Sequence, residues 1–416
     1  MKLNRRRFLT LGGASAVAAG AAGSGLTACS RSGSTHAAQT SPEELIVDFT
    51  GEHQAGIVTP MQNNLHFAAY DLAADVDRAD VIDLLMRWTA AARRLALGGD
   101  VSAKGSFGGG ANFPPDDSGE ASDLGPAALT LTFGFGRSFF RESLGLRQSL
   151  PGEFTAMPTM TNDFLNQAAS EGDVCVQACA NDPQVASHAI RNLTRLAVPT
   201  AALRWSQVGF GRAGTTSGAQ STPRNLFGQK DGTRNIKAED TDALAEHVWI
   251  PAESSQPWAA GGTYMTVRRI QMNIEIWDTL RLSEQERVTG RDKPEGAPLS
   301  GTSEFDEPDF AATNARGVPV IDHKSHLYNV HPDQNGGIRM LRRPFNFVDG
   351  SSEQGRLNAG LFFVAFTRTP DRFATVHRSM SRDEMFTEYL KTTNTGTYLI
   401  PPGVGAEGFV GEGMFA

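Results

Sequence analysis

The chain has 416 residues, enough for two domains of ordinary size, and 40% of them are hydrophobic. Its 38 basic and 46 acidic side chains give a formal net charge of −8. Residues 1–29 hold four basic residues and no acidic one, so the remainder carries 34 basic and 46 acidic side chains. Such an acidic surface argues against nucleic acid as a partner and against binding anionic lipid by charge alone.

The first 29 residues have the pattern of an export signal. Asn4-Arg5-Arg6-Arg7-Phe8-Leu9 contains a twin arginine and an apolar pair, and no charge follows until after Leu26. The alternative is a helix that stays in the membrane, but the run is short and interrupted by glycine. We therefore predict export by the twin-arginine route, which carries proteins already folded, often around a cofactor.

A second targeting signal follows directly. Leu26-Thr27-Ala28-Cys29 is similar to a bacterial lipobox, in which the protease cuts before a lipidated cysteine. The alternative is ordinary cleavage, with Cys29 in the signal by chance. The lipobox predicts a lipoprotein on the extracytoplasmic face of the cell envelope, either periplasmic or at the cell surface. Residues 30–48 are then a polar tether, and membrane contact occurs only through Cys29.

The first half of the remaining chain, residues 49–215, alternates strand and helix patterns. Apolar residues at helical spacing predict an amphipathic helix, and Asp182-Pro183 is typical of a helix start. The predicted elements, in chain order, are a strand at Leu65–Tyr70, a helix over 77–97, a loop over 105–126, strands at Leu129–Gly134 and Asp173–Cys179, and a helix from Pro183 to about Ala197.

The second half, residues 225–416, repeats this order after a Gly/Thr/Ser-rich boundary within 211–224. The predicted elements are a β-rich segment at Thr263–Trp277, a short helix at Leu282–Gly290, an apolar strand at Gly360–Arg368 and a closing helix at Asp371–Lys391. The repetition predicts an α+β protein of two ferredoxin-like domains whose antiparallel sheets pack together.

Two cysteines remain after the signal. Cys175 and Cys179 fall on one face of a predicted strand, ~13 Å apart. That separation is too long for a disulfide between them. We predict buried free thiols, since no further ligands for a metal stand nearby.

Three short motifs combine an acid, a histidine and an arginine. Gly228-Gln229-Lys230-Asp231-Gly232 places one acid in a loop flanked by glycine, Ser325-His326 follows about ninety-five residues later, and Met340-Leu341-Arg342-Arg343 comes next. Alone, the first motif is weak, because Asp and Gly are ordinary turn residues and Asp231 is equally a turn residue before a glycine of positive φ. Three histidines also cluster here, at His323, His326 and His331, and spacing alone favours none of them as an axial ligand for a haem iron.

Together these motifs resemble those of the dye-decolorising peroxidases. The resemblance extends from about Gly51 to Ala416 and includes GEHQAGI, TFGFG, RNLFGQKDGTRN, the long segment from Gly261 to Gly290, and MLRRPFNF. The chain is most similar to the exported twin-arginine subgroup, which includes the deferrochelatase/peroxidase of bacterial iron uptake. The resemblance implies one haem b per chain, held in the C-terminal domain. It also implies reduction of hydrogen peroxide to water through a ferryl intermediate, with oxidation of dyes, phenols or other bulky donors.

The resemblance also assigns roles to residues. His326 matches the family's axial ligand, because it stands after a small residue (Ser325), before a branched apolar one (Leu327) and six residues before Pro332. Asp231 matches the acid–base residue that moves the peroxide proton, and Arg342 matches the arginine that stabilises the departing oxygen. The further haem contacts implied are Gly232, Thr233, Arg234, His331, Pro332, Asp333, Arg342 and Arg268, with Arg269 and Arg343 as other candidates for a propionate partner or a structural role.

One segment departs from the family pattern. After the axial histidine, the family's arginine is replaced by Tyr328, and its Asn-Pro-Arg by His331-Pro332-Asp333. His331 is therefore an alternative axial ligand. Tyr328 is either an electron relay to a surface substrate or a packed aromatic.

Three functions remain open at this point. The first is a peroxidase acting with hydrogen peroxide and an organic electron donor. The second is release of iron from haem alongside iron-uptake components, and the third is a non-catalytic haem carrier. Asp231 and Arg342 argue against the carrier, because storage needs neither a proton shuttle nor a partner for a departing oxygen. An oligomer is compatible with all three.

Overall fold

A computed structural model of the protein describes residues 45–416. The predicted export signal and the lipobox at Cys29 lie outside these residues. Within residues 45–416, no helix is both long enough and apolar enough to cross a membrane.

The first half forms a four-stranded antiparallel sheet with two helices on one face. The elements are β1 (Asn64–Leu72), α1 (Arg78–Leu95), β2 (Thr130–Gly136), β3 (Val174–Ala180), α2 (Pro183–Ala197) and β4 (Ala201–Arg212). The strands lie in the order β4-β1-β3-β2. This is the ferredoxin-like order that the sequence predicted.

Local signals fix the two helices. Asp77 caps α1 in a reciprocal capping box with Asp80, and Asp182 accepts hydrogen bonds from the first turn of α2, which begins at Pro183. Their apolar faces cover the outer face of the sheet, where Trp88 is fully buried. The prediction of both helices is confirmed.

The second half repeats the arrangement with longer connections. Its elements are α3 (Thr241–His247), β5 (Thr263–Met272), α4 (Ile274–Trp277), α5 (Leu282–Thr289), α6 (His326–Val330), β6 (Leu341–Arg342), β7 (Phe345–Ser351), β8 (Leu357–Thr367), α7 (Pro370–Asp383) and β9 (Leu390–Ile400). The strands lie in the order β9-β5-β8-β7, and the short β6 pairs with β8 beyond the end of β7.

The two sheets join at both edges into a closed ring of eight strands. β4 pairs with β7, where Phe210 lies opposite Asn346, and β2 pairs with β9, where Phe135 lies opposite Leu399. Because the ring is closed, each of the eight strands pairs with a neighbour on both sides over at least part of its length. The ring encloses an interior that water does not reach. The interior is filled by apolar side chains, among them Phe67, Met265, Phe362, Tyr398 and both cysteines of β3. Cys175 and Cys179 are free and buried, as predicted.

Two predicted elements have different ends in the structure. The closing helix ends at Asp383, not Lys391, and Lys391 lies in β9. The Thr-rich segment after it favours a strand, because β-branched residues fit a pleated sheet better than a helix. The β-rich segment from Thr263 ends at Met272, and the residues up to Trp277 form α4.

Candidate haem site

The loop that carries Asp231 is held by backbone and side-chain hydrogen bonds. The Asp231 amide donates to the carbonyl of Pro223 at 2.9 Å, and Asn225 closes a turn by donating its amide to Gln229 at 3.0 Å. The Asn225 side chain then donates from Nδ2 to Oδ2 of Asp231 at 3.1 Å. One carboxylate oxygen is therefore fixed, while Oδ1 accepts no hydrogen bond from residues 45–416.

Gly232 allows this loop to approach its neighbour. Its φ is +91°, and a Cβ atom added there would lie 2.8 Å from the Cα of Gly214. Both the dihedral angle and the close backbone approach require glycine. Gly232 therefore shapes the loop that presents Asp231.

Arg342 is brought beside Asp231 from the opposite direction. It lies on β6, and Asn235 clamps its backbone, accepting from the Arg342 amide and donating to its carbonyl, each at 2.8 Å. Its guanidinium then reaches Asp231, with Nη1 3.6 Å from Oδ1, and donates from Nη2 to the carbonyl of Thr233 at 3.2 Å. The Asp231 and Arg342 side chains are 15% and 25% exposed, so both are partly accessible to solvent.

A buried acid stabilises the same loop on its other side. Glu304 accepts from Lys230 Nζ at 2.7 Å and from Thr233 Oγ1 at 3.1 Å. Burial acts to raise the pKa of Glu304, but the hydrogen bonds from Lys230, Thr222 and Thr233 outweigh it and lower that pKa, so the group is anionic. Thr233, predicted to touch the cofactor, thus uses its hydroxyl to hold the loop.

Arg234 points away from Asp231. It adopts a left-handed backbone conformation with φ at +60°. Its guanidinium lies 2.6 Å from Glu307 and donates to the carbonyl of Phe305 at 2.5 Å, and the side chain is 45% exposed. Arg234 therefore holds the segment around residue 305 against the loop that carries Asp231.

His326 is the first residue of α6. The preceding Ser325 caps the helix and is completely buried, with Gly290 packed so closely that a Cβ there would lie 2.8 Å from Ser325 Oγ. His326 Nδ1 lies 2.5 Å from Oε1 of Glu384, a carboxylate with no exposed side-chain surface. The histidine Nε2 makes no hydrogen bond with residues 45–416. One ring nitrogen is thus fixed and the other is open, as an axial ligand requires.

Within residues 45–416, His323 has no carboxylate partner, and the Asp333 carboxylate that lies 3.5 Å from His331 Nδ1 is exposed. His331 Nδ1 accepts from the backbone amide of Asp333 at 3.3 Å, and its ring packs against Phe310 with centroids 5.0 Å apart. The side chain of Asp333 is 74% exposed, and Pro332 begins a short 3₁₀ turn. The geometry therefore favours His326 over His331 as the ligand.

The two predicted arginines of β5 lie on opposite faces of the sheet. Arg268, 1% exposed, pairs with Asp163, yet its Nε and Nη1 atoms are buried without a hydrogen-bond partner among the described residues. Arg269 instead bonds Gln207 and Asp349, each at 2.7 Å, and so ties β5 to the other half of the ring. Arg268 keeps donors for a further anionic partner, whereas Arg269 is structural. Arg343, fully buried and bonded to Thr59, is also structural.

Aromatic side chains connect the His326 side to the Asp231 loop. The Phe386 ring lies 5.1 Å from the His326 ring and 5.6 Å from that of Phe227, measured between centroids. Phe227 belongs to the turn that Asn225 closes. The cluster that contains Phe227 and Phe386 therefore lies between His326 and the loop that carries Asp231.

The residues fit a haem group. Buried polar atoms left without partners include Glu384 Oε2 and two nitrogens of Arg268, and His326 offers an open nitrogen. When bound, haem supplies iron for peroxide chemistry. His326 would hold the iron, while Asp231 and Arg342 would serve the peroxide.

Sequence reasoning missed several residues that complete this site. Glu384 lay inside a predicted helix, and the hydrogen-bonding roles of Asn225, Asn235 and Glu304 were not assigned. The only local sequence signal beside His326 was Ser325, a residue type that commonly caps the start of a helix. Nothing local points to Glu384, because its partner is 58 residues away.

Comparison with known proteins agrees with the geometry. Residues 54–211 match the family model described as Dyp-type peroxidase, N-terminal, and residues 222–405 match Dyp-type peroxidase, C-terminal. A deferrochelatase of Escherichia coli (strain K12) is 35% identical over 360 residues, which cover 86% of this chain and 84% of the relative.

Solved structures give the same result. The DyP-type peroxidase from Streptomyces coelicolor has a TM-score of 0.82 at 38% identity, covering 90% of this chain and 98% of that one. DtpA from Streptomyces lividans, solved as an oxyferrous/water mixed complex, has a TM-score of 0.83 at 38% identity, covering 91% and 99%. The chain belongs to the Dyp-type peroxidase family and is a haem-dependent peroxidase with that family's two-part ferredoxin-like fold.

Proposed function

We propose that this enzyme reduces hydrogen peroxide to water and oxidises organic donors, with Asp231 as its acid–base residue and Arg342 as its charge partner. The observation that carries this is the 3.6 Å approach of Arg342 Nη1 to Asp231 Oδ1. Haem carriage alone would need neither group. The Asn235 side chain holds the backbone of Arg342, and the Pro223 carbonyl accepts from the backbone amide of Asp231, so both positions are fixed independently of the ion pair.

Asp231 has one oxygen available for proton transfer. Asn225 occupies Oδ2, which leaves Oδ1 to take a proton from the peroxide oxygen nearer the iron and return it to the outer one. The loop needs no rearrangement to present this oxygen.

Arg342 supplies fixed positive charge. Its Nη2 atom donates to the Thr233 carbonyl, and its Nη1 atom lies 3.6 Å from Asp231 Oδ1. A guanidinium held in place stabilises negative charge on a departing oxygen without reorganising.

The first test is an absorption spectrum of the purified protein before and after one equivalent of hydrogen peroxide. A Soret band that shifts on addition and returns when a donor is supplied supports the peroxidase function. A Soret band that peroxide leaves unchanged contradicts it.

A second activity is favoured by one observation. The relatives at 35% identity are named deferrochelatases, which suggests release of iron from haem with the porphyrin left intact. Porphyrin fluorescence after incubation with haem is the measurement. Metal-free porphyrin appearing with the parent protein, but not with His326→Ala, supports this activity, and its absence under reducing and oxidising conditions argues against it.

The location in the cell is also part of the proposal. The twin-arginine sequence and the lipobox support export and attachment of the enzyme to the envelope through a lipidated Cys29. Replacing Arg5 and Arg6 by lysine should retain the protein in the cytoplasm, and Cys29→Ala should release it from the membrane fraction. Unchanged fractionation of either variant contradicts the corresponding step.

A further inference from the structure

A long loop in the first half of the chain, residues 98–126, carries two exposed phenylalanines at its tip. Phe107 is 87% exposed and Phe113 is 71% exposed. A Cβ atom added at Gly109 or Gly110 would meet no heavy atom within 4 Å, so the chain between the two rings stands clear of the body. Large apolar side chains grouped on a projecting tip are typical of an interaction surface.

The tip is uncharged, although the residues that flank it are acidic. Residues 105–115 contain no Asp, Glu, Lys, Arg or His. The flanking acids are engaged within the loop, where Asp100 Oδ2 accepts from the Ser106 amide at 2.9 Å and Asp116 Oδ2 accepts from Ser102 Oγ at 2.7 Å. The tip therefore offers apolar contact and not charge to a partner.

The base of the loop is fastened to α2 by buried polar contacts. Asp117 is completely buried, and its carboxylate accepts from the amides of Val101 at 2.9 Å and Gly119 at 2.8 Å. The same carboxylate lies 2.8 Å from Nε2 of His188 on α2. Asn192, one turn further along α2, accepts from the amide that follows Asp117 at 3.1 Å. These contacts hold the loop in place and present its tip outward.

The part of the chain that the structure describes begins beside the base of this loop. The Leu45 carbonyl accepts from the amide of Ala128 at 2.7 Å, where the loop leads into β2. A Cβ atom added at Gly98 would lie 2.9 Å from the nitrogen of Pro126, so the two ends of the loop also meet here. Further apolar side chains are exposed around this point, namely Leu45 at 47%, Ile46 at 51% and Leu97 at 63%.

The predicted lipid anchor is close to this point along the chain. Sixteen residues separate Leu45 from Cys29. Fully extended, they span about 55 Å at most, so an anchored protein stays near the bilayer. Anchoring also makes any further contact with that bilayer intramolecular, at an effective concentration in the millimolar range. A weak apolar contact that would not hold a free protein at a membrane is then populated.

We propose that the tip formed by residues 105–115 inserts Phe107 and Phe113 into the surface of the bilayer that holds the anchor. This inference rests on the lipid anchor at Cys29 proposed above, to which it adds a second membrane contact. Aromatic and aliphatic side chains gain free energy at the boundary between headgroups and acyl chains. The uncharged tip enters this boundary without burying a charge, and the contact does not depend on anionic lipid.

Insertion would attach the first half of the ring to the bilayer. Asp231, His326 and Arg342 all belong to the second half. Membrane contact therefore does not use the residues of the haem site, and variants of the tip should keep the parent reaction with peroxide.

Phe164 provides the matched control. It is also an exposed phenylalanine, at 61%. Its amide donates to the carbonyl of Thr392 on β9 at 2.9 Å, and Lys391 Nζ lies 4.9 Å from its ring centroid. This ring therefore lies beside a cation and a strand of the second half, and not beside Leu45.

The test uses the full-length protein in membranes of cells that export it, as the parent, as Phe107→Ser with Phe113→Ser, and as Phe164→Ser. A phospholipid with a photoactivatable diazirine in its acyl chain is added, and peptide mass spectrometry locates the lipid adducts after illumination. We expect adducts on residues 105–115 in the parent and in Phe164→Ser, with equal yield at low and high salt. In the double variant the yield should fall by about tenfold or more.

Three results would overturn the insertion in a parent protein that carries lipid on Cys29. They are no adduct on residues 105–115, an unchanged yield in the double variant, and an equal yield on Phe164. A parent protein without lipid on Cys29 instead removes the proposed anchor, and the insertion with it. The Soret response to peroxide shows that each variant is folded, and the position of the adduct in the parent decides the question without any variant.

Discussion

His326 Nδ1 and Glu384 Oε1 lie 2.5 Å apart, and the glutamate side chain is completely buried. The acid comes from the residue directly after α7, and the histidine begins α6. Because Nδ1 is engaged, the ring has one orientation, and its Nε2 is directed away from the acid. Such a partner makes a ligating imidazole more basic and holds its tautomer.

Glu384→Gln should therefore weaken haem binding or turnover by about 10–100-fold, the usual cost of removing such a partner. The amide keeps the size of the side chain but removes its charge, so the iron reduction potential should rise. A spectroelectrochemical titration measures this. Glu388→Gln, an exposed acid four residues later, is the control. An unchanged potential in Glu384→Gln would mean that the contact only packs α6.

Asp231→Asn should slow the reaction with peroxide by about 10²-fold or more, because the amide cannot accept the proton. Asn225 still has an oxygen to donate to, so the loop should keep its conformation. Stopped-flow absorbance at the Soret band gives the rate. Asp333→Asn, at an exposed position, should react at the parent rate. Parent-like kinetics in Asp231→Asn would assign the proton transfer to another group.

Arg342→Leu should slow peroxide cleavage by about 10²–10³-fold, as is typical when one fixed charge-stabilising donor is removed. The Asn235 clamp uses only the backbone of residue 342, so the strand should remain in place. Arg342→Lys keeps the charge but loses the second donor to Thr233. An intermediate rate in the lysine variant would show that charge and geometry both contribute, whereas equal rates in all three proteins would exclude the role.

Gly232→Ala should destabilise the loop by about 1–3 kcal/mol, because the residue needs a positive φ and the new Cβ meets the backbone of Gly214. Gly317→Ala separates the two causes, since Gly317 also has a positive φ, +75°, but has open space around it. Thermal unfolding of both variants is the measurement. Gly232→Ala should lose more stability and also peroxide reactivity. Equal losses of stability in the two variants would mean that the positive φ alone, and not the contact with Gly214, causes the destabilisation.

Stability should fall in acid because of His66, a half-buried histidine on β1. Partial burial lowers the pKa of His66 from 6.5 to about 4, and its Nδ1 has no hydrogen-bond partner among residues 45–416. Between these values the unfolded chain binds a proton that the folded chain does not, so the free energy of unfolding decreases as pH falls. From pH 7 to pH 5 the loss is about 2 kcal/mol at most.

His66→Leu removes this contribution. Urea unfolding at pH 7 and pH 5 gives the free energy of unfolding at each pH. This free energy should differ less between the two pH values in the variant than in the parent protein. His323→Leu, at an exposed position, is the control. A pH dependence that is the same in His66→Leu and in the parent would place the acid sensitivity elsewhere.

Local chemistry in the sequence determined much of the fold. Asp77 and the Asp182-Pro183 pair start their helices by hydrogen bonds that reach only a few residues along the chain. The predicted β-rich segment Thr263–Trp277 contains the strand β5, which ends at Met272. The end of α7 was misplaced because Lys391 lies in β9, where pairing with β5 outweighs helix propensity.

The tertiary structure decided how the site is assembled. The sequence supplied Asp231, His326 and Arg342 through their motifs, but it revealed neither Glu384 nor the Asn235 clamp across 107 residues. These contacts join segments that are far apart in the chain, and no local pattern specifies which buried groups will meet. Closure of the two sheets into one ring brings these buried groups into contact, because it fixes the relative positions of β6, α6 and the Asp231 loop.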